Sequence, residues 1–158
     1  MLSAALTALA ARADAADDFP AKPVRLIVPF AAGGGGDGAA RPLAQALATR
    51  LRGQVVVDNR GGAGGVIGIE TAANAAPDGY TLLLFGSAVW TSPFMRDNWP
   101  WDPTRDLTAI TAGVSAPNVL AVHPSVPVKS AAELIVLAKA RPGHLNYGAG
   151  TIGASPHL

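Results

Sequence analysis

The chain has 158 residues, 49% of them hydrophobic and 15% charged, a balance that suits one globular domain or one and a half and excludes a disordered tail. Its net charge is +1 and its basic residues are scattered, so it lacks the Lys and Arg run that nucleic acid or an anionic membrane surface requires. With no cysteine it has no disulfide framework, no Cys-ligated zinc and no thiol nucleophile.

The opening stretch, MLSAALTALAARADA, is apolar, built of small residues and too short to span a bilayer, and Ala13-Asp14-Ala15 supplies an A-x-A cleavage site. It reads as an export signal over 1–15, incomplete because no Lys or Arg precedes its apolar core. Val24 to Phe30 then reads as a buried strand, β-branched and bounded by Pro23 and a run of four glycines. After the run, Leu43, Leu47 and Leu51 recur at helical spacing. Pro42 suits a first turn, which predicts a helix from Ala39 or Ala40 with Gly53 as its stop.

Gln54 to Asp58 is the second expected strand. A second glycine loop, Asn59 to Gly65, opens a helix with Ile67 and Ala72 on one face that ends at Pro77-Asp78-Gly79, and Tyr80 to Phe85 is the third strand. Strands alternating with helices over short connections predict a parallel sheet with helices on its faces. Ligands on such sheets sit beyond the carboxyl ends of the strands, where both glycine loops and Gly86 to Pro93 fall. Trp90, Trp99 and Trp101 are too irregularly spaced for a stacking platform and are expected to pack the edge of this unit.

Beyond Leu107 two apolar runs flank Ser115-Ala116-Pro117-Asn118, long enough to pass into another domain, and a boundary is expected near Gly113. Ser130 and Glu133 form a capping box for a helix that Pro142-Gly143 ends. His144 to Gly148 reads as another short strand, and Ser155-Pro156 as the N-cap and first residue of a last helix. The expected organisation is therefore 1–15 signal, 16–112 first domain and 113–158 the start of a second, a truncated arrangement.

Taken together the blocks resemble the Bug-type receptors of tripartite tricarboxylate transporters, which are periplasmic solute-binding proteins. The resemblance lies in FPAKPVRLIVPFAAGGGGD (Phe19 to Asp37), VVVDNRGGAGGVIG (Val55 to Gly68) and APDGYTLLL (Ala76 to Leu84). It continues in WPWDPTRDLTAI (Trp99 to Ile110), in the block from Ala116 to Gly148, and in GASPHL (Gly153 to Leu158). The resemblance implies an α/β, periplasmic-binding-protein-like two-domain clamshell, its parallel-type sheets flanked by helices, about twice this length when whole. It implies a monomer that binds a small carboxylate and delivers it to the membrane permease subunits of a tripartite tricarboxylate transporter, without a cofactor or a metal.

In this family the carboxylate is held by the loop after the first strand and by the loop opening the helix after NYG. Carried over, the first is Phe30, Ala31, Ala32, Gly33, Gly34, Gly35, Gly36 and Asp37, and the second is Gly153, Ala154, Ser155 and His157. Ser87 lines the cleft after the third strand. Two positions depart from the family: Gly36 stands where Thr or Ser is usual, and Ala154 where a hydroxyl residue is common.

The chemistry suits an anion, since glycines let successive backbone amides turn toward one point and a helix N-terminus adds partial positive charge. Asp37 would repel an anion and is expected to cap the helix or tie loop amides in place. His157 is open to both a ligand and a structural reading, while His123 and His144 have no metal-ligand partner at useful spacing.

The rival reading is a Rossmann-type NAD(P)-dependent oxidoreductase, because Gly33, Gly35 and Gly38 satisfy G-x-G-x-x-G and Asp58 lies about twenty residues on. Against it, Pro29-Phe30-Ala31-Ala32 separates strand from fingerprint and no residue offers itself as a hydride-transfer base. No Gly-Lys-Ser/Thr, G-x-S-x-G or H-E-x-x-H is present for a P-loop, an esterase elbow or a zinc protease. A third reading is a non-functional fragment with open sheet edges and poor stability.

Overall fold

In the computed structural model, residues 19–95 and 99–158 are described. The export signal expected over 1–15 lies outside them. The first unit is a three-stranded parallel sheet in the order β2-β1-β3, with β1 at Val24–Val28, β2 at Val55–Asn59 and β3 at Thr81–Leu83. Leu26 pairs with Val57 on one side and Leu82 on the other, so β1 is central and takes ladder bonds from both neighbours. Its central place explains its composition, since a strand covered on both faces reads as a continuous apolar run.

Alternation along β1 divides the core. Leu26 and Val28 face α1 (Gly35–Leu51), meeting Ala40 and Ala44, with Leu43, Val55, Val57, Leu82 and Leu84 around them. On the opposite face Ile69 of α2 (Val66–Ala73) meets Leu83, Phe85, Val89, Trp99, Trp101 and Leu107. Trp99 and Trp101 pack edge to face at 5.3 Å. Trp90, by contrast, is 48% exposed and packs no core, because the short helix α3 (Ala88–Thr91) buries Ala88 and Val89 instead.

Several local expectations change. The helix α1 starts at Gly35 rather than near Ala39, which leaves Pro42 in its interior. Proline there removes the bond to the Gly38 carbonyl, but both residues are exposed, so water replaces the lost donor. The left-handed residue that ends α1 is Arg52 rather than Gly53. Gly53 is required for space, since a Cβ there would stand 2.3 Å from the Pro20 ring. In α2 the fully buried side chain is Ile69, and the expected face residue Ile67 is 49% exposed.

Past Leu107 the described residues contain one helix, α4 (Ala131–Ala140), and no strand. Ser130 accepts from the Glu133 amide at 3.2 Å as a capping box demands, but the Glu133 carboxylate reaches the Lys129 amide at 2.6 Å instead of that of Ser130. The strand expected over His144 to Gly148 is absent, and Val119 and Leu120 are 85% and 69% exposed. A strand is defined by its pairing, and no partner for these runs lies among the described residues. No described helix is long and apolar enough to cross a membrane.

The link from Trp101 to Leu107 is held by a reciprocal turn. Asp102 accepts from the Thr104 hydroxyl and amide, and Asp106 accepts from the Asp102 amide while pairing with Arg105. The Arg105 guanidinium and that amide hold the Asp106 carboxyl at about 2, and the Thr104 hydroxyl and amide lower that of Asp102. Both values lie below those of the unfolded chain, so their contribution is full above about pH 4 and is lost as pH falls toward 2. An acid titration followed by near-ultraviolet circular dichroism of the Trp99–Trp101 pair is expected to show packing lost across that window. A signal unchanged from pH 4 to pH 2 would remove the turn's electrostatic role.

Candidate functional site

The carboxyl edge of the sheet gathers most of the expected site. At the end of β1 the Val28 carbonyl accepts from both Phe30 and Arg60 amides, which turns the chain out of the sheet and binds it to the strand end of β2. Ala31 to Gly35 are exposed above this turn, with Gly33 in the left-handed region at φ 80. Asp37 is buried beneath them, and one carboxylate oxygen accepts from the Gly33 amide and from Arg41, each at 2.9 Å. Those bonds, the Gly33 amide first, hold its carboxyl below the usual carboxylate range. Asp37 thus turns its charge inward, onto the loop's own donors.

The amides of Gly35, Gly36 and Asp37 are left over. They are the first turn of α1, where no preceding carbonyl is in helical register, and the N-cap Gly34 has no side chain to bond them. Among the described residues they have no hydrogen-bond acceptor. A side chain at Gly36 would require the Phe30 ring to move, because a Cβ would stand 2.2 Å from it. The ring takes the room that a Thr or Ser would fill, and it packs on Phe85 at a centroid distance of 5.1 Å.

The second glycine loop, which sequence reasoning left out of the site, buttresses the first. Asn59 donates its side-chain amide to the Phe30 carbonyl at 3.3 Å. A Cβ on Gly61 would lie 3.1 Å from the Ala31 nitrogen, one on Gly65 2.5 Å from the Phe85 ring, and one on Gly68 2.8 Å from Pro29. Gly61 lets two backbones approach closely, while Gly65 and Gly68 leave room for the Phe85 and Pro29 rings. The adjacency of NRGGAGG to a strand end was the available signal, but register alone decides which loop it supports.

Ser87 begins α3 just beyond β3, and its hydroxyl oxygen accepts from the Ser155 amide at 3.1 Å. Gly153, buried and at φ 82, sits against Thr91, Ser92 and Met95, and its carbonyl accepts from the Thr91 hydroxyl. The Gly153 amide donates to His157 Nδ1 at 3.4 Å, and Asn118 donates to the Ser155 hydroxyl at 3.2 Å. Ser155 is therefore no N-cap: the carbonyl of Ala154 accepts from His157 and Leu158, and residues 155–157 form a turn. Thr91 and Asn118 were missed. Thr91 stands one helical turn after Ser87, a spacing visible in the sequence but uninformative without the docked loop.

Asp58, the ribose carboxylate of the dinucleotide reading, is engaged by Arg25 and Arg60. Burial raises its pKa, and the two guanidiniums more than offset that, leaving it lowered. Gly38 lies inside α1, its amide bonded to the Gly34 carbonyl, and is not part of an open loop. Among the described residues no three His, Asp or Glu side chains converge to hold a metal. Two open hollows, of about 480 Å³ along α4 and about 420 Å³ between α1 and β2, contain no residue of the two loops expected to form the site.

Comparison with known proteins gives a consistent result. Residues 39–158 match the family model described as tripartite tricarboxylate transporter family receptor. BugT of Bordetella pertussis is 42% identical over 147 residues, which cover 90% of this chain and 44% of that protein. A UPF0065 protein of the same organism is 41% identical over 153 residues, 95% of this chain and 46% of its own length. A solved structure of an R. palustris protein with adipate superposes with a TM-score of 0.77 at 36% identity, covering 87% of this chain and 46% of that one. A periplasmic transporter gives a TM-score of 0.73 at 37% identity over 86% of this chain and 46% of its own. The chain spans about half the length of the curated relatives it matches.

Proposed function

The chain belongs to the tripartite tricarboxylate transporter receptor family, and from that premise we propose that it forms part of an extracytoplasmic receptor for a small carboxylate. One observation carries the reading: three amides at the start of α1 without an acceptor among the described residues, set on a glycine loop whose carboxylate is turned inward. An anion at such a helix end gains about 0.3–1 kcal/mol when exposed and about 2 kcal/mol when partly buried. Burying a carboxylate costs several kcal/mol unless its lone pairs are filled, so a second set of donors is needed. Gly153, Ala154, Ser155 and His157 supply it from a second lobe that begins near Gly113, and hinge closure brings the two together.

The matching family model is that of a transporter receptor and one similar structure is a periplasmic transporter, which supports for this chain a role in capture and delivery to membrane subunits of a tripartite tricarboxylate transporter, as a monomer. The ligand class is a dicarboxylate, since a relative at 36% identity is solved with adipate. Titration calorimetry of the folded 158-residue chain against adipate, citrate and NAD tests this. Adipate is expected to bind and NAD not to. NAD binding alone would overturn the receptor reading, as would a folded sample that binds none of the carboxylates.

A further inference from the structure

The two loops differ in one respect: the first-turn amides of α1 have no acceptor among the described residues, whereas every amide of the second loop already has a protein acceptor. Gly153 donates to His157 Nδ1 at 3.4 Å, Ala154 to the Thr151 carbonyl at 3.0 Å and Ser155 to the Ser87 hydroxyl at 3.1 Å. The loop is also seated. Gly153 is buried against Thr91, Ser92 and Met95, with the Thr91 hydroxyl donating to its carbonyl. Ser87 and Thr91 stand one turn apart, and the Ser87 carbonyl accepts the Thr91 amide, which holds both hydroxyls on one face of α3.

We infer that Ser87 and Thr91 are a latch that holds the second loop closed in the absence of ligand, the Ser87 oxygen occupying the amide that a carboxylate would take. The inference rests on the carboxylate-receptor reading. A hydroxyl oxygen and a carboxylate oxygen are both acceptors, and one N–H makes one good bond, so the two compete for Ser155. Thr91 plays a different part. Its bond to the Gly153 carbonyl leaves every amide of the loop untouched, so it keeps the loop docked while the acceptor at Ser155 is exchanged. Ser87 thereby sets affinity by opposing ligand, where the sequence reading had it lining the cleft as a contact.

The test compares the 158-residue chain with Ser87→Ala and with Ser87→Thr, which keeps the hydroxyl. Without ligand, amide hydrogen exchange at Ser155 is expected to be at least tenfold faster in Ser87→Ala and near the parent rate in Ser87→Thr. Exchange at Ile27 is expected to be unchanged in both, which shows the sheet intact. Unchanged exchange at Ser155 in Ser87→Ala overturns the latch. Adipate is then expected to bind Ser87→Ala about three- to tenfold more tightly than the parent. Equal or weaker binding overturns the competition and returns Ser87 to the role of ligand contact. If adipate binds neither chain, the receptor reading fails while the exchange experiment still decides whether the latch exists.

Discussion

Ile27→Ala is expected to lower the stability of the sheet unit by about 2–5 kcal/mol. Ile27 is fully buried at the centre of β1, paired with Asp58 of β2 and Leu83 of β3. Truncation leaves a cavity that both neighbours border, and a central strand relaxes less than an edge. For a unit of this size each kcal/mol is worth about 4–8 °C, so the melting temperature should drop by about 8 °C or more. The loss should reach the site, because the next residue, Val28, is the one whose carbonyl gathers the Phe30 and Arg60 amides. Val56→Ala is the control: that side chain is 42% exposed on an edge strand, and surface changes of this kind stay within about 0.5 kcal/mol. Thermal melts by far-ultraviolet circular dichroism decide it, and equal effects of the two substitutions would mean that β1 does not organise the core.

Gly153→Val is expected to release the second loop while sparing the sheet. At φ 82 a side chain is strained by about 1–2 kcal/mol, and a Cβ would lie 3.1 Å from both Met95 Sδ and Ser92 Oγ, adding about 1–3 kcal/mol of overpacking. The summed cost, about 2–5 kcal/mol, exceeds what the Thr91 and Ser87 bonds return at about 0.5–1.5 kcal/mol each. Limited proteolysis should then cut after Ile152 faster than in the parent, with the residues from Val24 to Leu83 still protected. Adipate affinity should fall at least tenfold, the equivalent of about 1.4 kcal/mol. Gly150 has no neighbour within 4 Å of its would-be Cβ and no positive φ, so Gly150→Ala should leave both readouts unchanged. A Gly153→Val chain that is digested and binds like the parent would show that the docked loop has no part in the site.

Much of the first unit was legible because its rules are local. Strands β1, β2 and β3 and helix α1 follow from β-branched runs, leucine spacing and glycine stops, and the parallel order follows from the alternation of strand and helix. Where such readings moved, a neighbour from elsewhere in the chain was responsible. Gly53 looked like a helix stop and is a seat for Pro20, while Ile67 looked like the core residue of α2 and Ile69 is. A helical face is chosen by what packs on it, and Phe85, Trp101 and Leu107 come from later in the chain.

The site divides in the same way. By itself the sequence determined that a glycine-rich strand-to-helix turn would present backbone amides, that Asp37 would be better used inside the loop than toward an anion, and that the ordered blocks belong to a carboxylate-receptor family. Those conclusions depend on residue type, on nearest neighbours and on order along the chain. Only the tertiary structure decided that Asn59 and Gly61 brace the first loop, that Asp58 pairs with Arg25 and Arg60, and that Ser155 gives its amide to Ser87. Each of these is a contact between segments brought together by sheet register or loop docking, and a backbone amide carries no sequence mark of which acceptor it will meet.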